Sequence, residues 1–160
     1  MIMTVYLLML VLFLTSVPGS ASSPGQNAEL ENDIREIVLR YMFEHEAQQQ
    51  RPYTKVLFIS VENEDPDDKF IARFKGHIPP VRKGSESIIT GDVTGVIDKK
   101  TREGGMLYSV GEINWINENE VGIQGSYYVA NLFAGGCRYR VVRHGNKWIV
   151  KGCVGTRWES

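Results

Sequence analysis

The sequence predicts an α+β domain: a long N-terminal amphipathic helix and a short second helix packed on a curved, mainly antiparallel sheet. Three observations carry this. Apolar residues between Asn27 and Gln50 recur at the helical period, and from residue 92 onward β-rich segments follow one another with Gly- and Asn-containing turns between them. The third is Gly111, Gly122, Gly125 and Gly152 inside those segments, where bends or bulges supply curvature.

Taken in order, Leu30, Ile34, Ile37, Val38, Tyr41 and Met42 line one face of a helix from Asn27 to about Gln50. Asn27 is the expected N-cap, acids follow it, and Pro52 is the expected stop. YTKVLFISV, residues 53–61, reads as a strand because β-branched and aromatic residues fill it. Asp65 as cap and Pro66 as first helical residue open a two-turn helix that buries Phe70, Ile71 and Phe74 and stops at Gly76 and Pro79. Residues 80–91 read as irregular. Strands are then expected near 92–99, 105–116, 120–132, 136–144 and 147–158. A helix with one apolar face needs a sheet to cover, so the economical arrangement is a sheet wrapped round the helix.

The first 21 residues have the layout of a secretory signal peptide: an apolar run from Val5 to Leu14, Pro18, then small residues ending at Ala21. Residues 22–27 are expected as a flexible lead and 28–160 as one domain. No Lys or Arg precedes the apolar run, which leaves an uncleaved anchor as the alternative, although the run is shorter than the ~20 residues of a spanning helix. After cleavage no stable membrane span is expected, and the location is secreted or periplasmic. The formal net charge of −1 falls wholly on the remaining domain and argues against a nucleic-acid partner.

DPDDKFIARFKGHIPPVRKGS, LYSVGEINWINENEVGIQGSYY and GGCRYRVVRHGNKWIVKGCVGTRW, with this order of elements, resemble small exported bacterial proteins of unassigned function. More broadly, the chain resembles the nuclear-transport-factor-2-like superfamily with its cystatin-like α+β roll. That resemblance implies a fold with a cone-shaped cavity, which in this superfamily serves catalysis, ligand binding or only the core.

A cavity enzyme of the isomerase or dehydratase type would need a carboxylate base beside a Tyr. The candidates are Asp92, Asp98 and Glu112, with Tyr108 beside them. Strand alternation puts Glu112 on the face of Tyr108 and Val110, and a bulge at Gly111 would reverse that. Trp115, Tyr127, Tyr128 and His77 are candidate ligand-binding residues, against the plainer reading of the aromatics as core. The three histidines lack metal-ligand spacing, so no metal and no cofactor are expected. The acid-then-base stretch from Glu62 to Lys83 reads as a self-paired solvated face, and Arg138 and Arg140 as an outward basic row. The leading function is a non-catalytic binding or protein-interaction module. Its partner is an unidentified small ligand or protein, and a homodimer through the sheet is one form of the latter.

Cys137 and Cys153 flank a hairpin, and export favours a disulfide between them. A three-residue loop, His144–Asn146, sets them opposite each other. A two-residue Gly145–Asn146 turn shifts the register by one and puts them on opposite faces.

Overall fold

The computed structural model describes residues 24–91, 95–131 and 133–160. The expected signal peptide, its cleavage point and Asp92 lie outside the described residues. The fold is α+β with a mixed, mainly antiparallel sheet and few helices. Its elements are α1 (Pro24–His45), β1 (Val56–Val61), α2 (Asp68–Ala72), β2 (Val81–Lys83), β3 (Ser87–Ile89), β4 (Val96–Asp98), β5 (Gly105–Asn117), β6 (Glu120–Ala130), β7 (Phe133–His144) and β8 (Lys147–Glu159). Six strands form the main sheet in the order β2-β1-β5-β6-β7-β8, and β3 and β4 pair separately.

The helix differs from expectation at both ends. Asn27 lies inside α1 rather than capping it, and α1 stops at His45, short of Gln50. The chain then turns at Ala47, whose φ is +47°, into a 3₁₀ turn over Gln48–Tyr53 that contains Pro52. Pro52 therefore does not end the helix. Five side chains of α1, Ile34, Val38, Leu39, Met42 and Phe43, are at most 3% exposed and pack on the sheet. Burying each contributes about 1.5–3 kcal/mol, which holds the helix in place more firmly than its propensity does.

Val56 to Ile59 are buried on both faces, and that follows from β1's central place in the sheet. β1 runs parallel to β2 on one side and to β5 on the other. The stretch 80–91, expected to be irregular, supplies β2 and β3. Because β4 pairs with β3, the strand expected near 92–99 does not join the main sheet. The β3–β4 hairpin covers the opposite face instead, where Val96 packs with Val56, Phe58, Leu107 and Tyr128.

The cap of α2 is Asp67, not Asp65. Asp67 is extended at φ −68° and ψ 167°, and its carboxylate accepts from the Phe70 N–H at 2.7 Å. Asp65 accepts from the backbone N–H of Ser85 at 2.8 Å, which joins the α2 loop to the segment after β2. The acid-then-base stretch is paired, but mostly with other elements rather than with itself, Lys83–Asp68 being the ion pair within it among the described residues. Arg73 bridges Glu29, Asp33 and Glu36 of α1, Lys83 meets Asp68, and Arg82 meets the buried Asp98.

In the β7–β8 hairpin His144 pairs with Lys147, so the loop is the two-residue Gly145–Asn146 turn. Gly145 has φ +60°, and only this first central residue is left-handed, as a type II′ turn requires. On its own that register would separate the cysteines. A shift between Arg140 and Val141 corrects it: Val141 faces Val150, yet Tyr139 faces Cys153. Gly152 absorbs the extra residue at φ +108°. Cys153 thereby turns to the inner face shared by Cys137 and Tyr139, and a second register shift falls between Gly136 and Arg138. The Cα atoms of Cys137 and Cys153 lie 5.8 Å apart, inside the disulfide range of about 4.4–6.8 Å. Bulges, not the turn, decide whether the cysteines meet.

Candidate functional site

A cavity of about 310 Å³ opens where α1 ends, and it is lined by Phe43, Arg51, Thr54, Leu57, His77, Ile78, Pro79, Met106 and Tyr108. The early stop of α1 creates it. A helix end leaves carbonyls without partners, and here Arg51, returning on the 3₁₀ turn, donates from Nε (3.1 Å) and Nη2 (2.5 Å) to the Phe43 carbonyl. Arg51 is thus held at the cavity by the helix it follows. Thr54 donates its hydroxyl hydrogen to the Gln50 carbonyl at 2.9 Å.

The opposite wall comes from the connection between α2 and β2. The His77 ring sits edge-on to Phe43 with centroids 5.2 Å apart. Its Nδ1 lies 2.7 Å from the Pro79 carbonyl oxygen. A carbonyl only accepts, so the Nδ1 hydrogen is engaged there and Nε2 is the ring's remaining polar atom.

The floor is β1 and β5. Tyr108 is 1% exposed and packs edge-on against Phe43 at 5.0 Å. Its hydroxyl meets only the Met106 thioether, at 3.9 Å, a weak acceptor. Burial pushes the Tyr108 phenol far above its ordinary range, with the Arg51 charge opposing in part, so the hydroxyl stays a donor.

A second polar cluster lies beside α1's end. Glu46, 2% exposed, accepts from the Tyr139 hydroxyl at 2.7 Å and is clasped by both Nη atoms of Arg157. Burial, and then the hydrogen bond to Glu46, raise the Tyr139 phenol. Glu46 lies one helical turn beyond Met42 on the apolar face, so a charge among core positions was its readable signal. This carboxylate is neutralised by its partner and does not line the cavity.

Scans of family models, of curated proteins and of solved structures find no match to this chain.

The predicted site residues are dispersed. Tyr108 and His77 both line the cavity. Glu112 does not join them, because the register shift between Val110 and Ile113 turns it to the outer face beside Asn114, Gln124 and Arg138. That is the reversal a Gly111 bulge produces. Tyr127 is 6% exposed, with its ring 6.4 Å from that of Tyr108, whereas Tyr128 faces the other way and donates to Asn131 Oδ1 at 2.8 Å. Trp115 stands at the far end of β5, edge-on to Trp148 at 5.7 Å. The aromatic candidates Trp115, Tyr127 and Tyr128 therefore do not form one cavity. Arg138 and Arg140 point outward as expected, and Arg140 pairs with Glu120 at 2.7 and 3.0 Å.

Among the described residues no helix is long and apolar enough to cross a membrane, and no group of three or more His, Cys, Asp or Glu is placed to hold a metal ion. Arg51, Thr54, Phe43, Leu57 and Met106 were not legible as site residues. Each has an ordinary local role in sequence, and only the reversal after His45 gathers them.

Proposed function

We propose that this protein is an exported binding module of the α+β roll kind, related to the nuclear-transport-factor-2-like superfamily, that holds a small ligand in the cavity at the end of α1. The observation that carries this is the lining itself: buried apolar walls with a few polar groups among them, the usual composition of a small-molecule site. An oxidised cysteine pair at disulfide distance fits a secreted or periplasmic location.

Binding is preferred over carboxylate-base chemistry of the isomerase or dehydratase type because none of the described lining residues is a carboxylate. A base is needed within reach of the proton it removes. Among the described residues, Glu46 is the one buried carboxylate bonded to a tyrosine, and Arg157 occupies both of its oxygens.

The test is mass spectrometry of the protein recovered natively from cells, followed by thermal unfolding with a panel of small apolar molecules. A bound small molecule, or a Tm that rises with ligand concentration by mass action, is expected. Ligand-free protein whose Tm no member of the panel moves, at millimolar concentration, would count against the reading.

A further inference from the structure

The class of ligand can be read from the polar atoms that the protein leaves uncommitted. This inference rests on the cavity being a binding site. The Thr54 hydroxyl hydrogen already goes to Gln50, and the His77 Nδ1 hydrogen to Pro79. The bond to Phe43 uses Nε and Nη2 of Arg51 and leaves Nη1 for another acceptor. The Tyr108 hydroxyl, 1% exposed, has only a thioether at 3.9 Å. A buried hydroxyl so weakly bonded implies a better acceptor in its working state.

Two donors, one of them permanently charged, and the His77 Nε2 therefore line a space walled by Phe43, Leu57 and Met106, and no carboxylate is among the described lining residues. The geometry points to a small apolar carboxylic acid in its ionised form as the ligand. Its carboxylate accepts from Arg51 and Tyr108, and its hydrocarbon body lies against Phe43, Leu57 and Met106.

Size and charge narrow the class. A volume of about 310 Å³ is at the bottom of the range for small-molecule pockets, which suits a single ring or a short branched chain. Arg51 is the only Lys or Arg in the lining, so a monoacid is favoured over a diacid, and an amine meets a like charge.

The experiment is calorimetric titration of the purified protein with phenylacetate, phenylacetamide and phenethylamine, which share an aromatic body and differ in the polar end. Phenylacetate is expected to bind about tenfold or more tightly than the amide, as a charge-assisted hydrogen bond supplies. The amine is expected to bind weakest, and phenylacetate affinity to fall as salt rises. Arg51→Gln should remove the preference for the acid, weakening phenylacetate far more than phenylacetamide, and Arg51→Lys should keep most of it. Tyr108→Phe, which removes a hydroxyl that stabilises the fold little, should weaken phenylacetate several-fold with Tm nearly unmoved. Equal binding of acid and amide, or an acid affinity indifferent to salt, would overturn the acid assignment and leave the binding reading intact. Binding by none of the three at millimolar concentration would overturn both.

Discussion

Glu46 shows how one residue can be structural where its chemistry suggests catalysis. A buried carboxylate beside a tyrosine hydroxyl is what proton-transfer sites use, yet the guanidinium of Arg157 accounts for both oxygens. Arg157 itself is 42% exposed and can turn to water if its partner is lost. Glu46→Gln should therefore cost about 1–3 kcal/mol of stability, less than the loss of a fully enclosed pair. Urea unfolding of the variant measures it. At Gly125 the argument is steric: an added Cβ would stand 2.6 Å from Tyr139 Cε2 and 2.8 Å from Met42 Sδ. Gly125→Ala should destabilise by about 1–3 kcal/mol through overpacking, read in the same assay.

At the scale of elements, the β7–β8 hairpin carries the clearest lesson. The hairpin was legible, and so was the dependence of the cysteines' facing on its loop, but the three-residue loop His144–Asn146, which favours the bridge, and the two-residue Gly145–Asn146 turn both stayed open. The shift at Gly152 was not legible, because a glycine in a strand marks a bend, a bulge or a close approach without saying which. The same limit applied to Glu112, whose face depended on a bulge in β5. Alternation reports the facing of a strand only between bulges. For the helix the apolar face was readable, but its end was not: Pro52 is a strong stop signal, and the chain had already reversed at Ala47. Because the cavity is made by that reversal, its lining stayed hidden while the core strands did not. Gly152→Val, which disfavours the left-handed backbone of the bulge, should lower the fraction of oxidised Cys137–Cys153. Mass measured without reductant reads this as the mass of two hydrogens. Removing the bridge with Cys137→Ser and Cys153→Ser should cost about 3 kcal/mol for a loop of this length.

For the whole molecule, ion pairs tie strands to their neighbours. Arg82 on β2 reaches Asp98 at the end of β4, and Arg140 on β7 reaches Glu120 on β6. Backbone N–H groups, the Thr101 one foremost, hold the Asp98 carboxyl below its ordinary 3.8, and the Arg140 hydrogen bond holds Glu120 below 4.5. Both groups bind protons less readily folded than unfolded. Their contribution is thus present at neutral pH and is lost as pH falls below about 4, through the folded values. Thermal unfolding from pH 7 to pH 3 should show this loss, and Asp98→Asn should start lower and fall less steeply. The central claim is that the cavity at the end of α1 binds a small apolar acid. Its most direct test is methyl NMR of the methionines during titration with phenylacetate, since Met106 lines the cavity and Met42 lies deeper under Gly125. The account predicts a saturable shift of the Met106 methyl with a much smaller response at Met42. A Met106 methyl that stays still while calorimetry shows the ligand bound would contradict it.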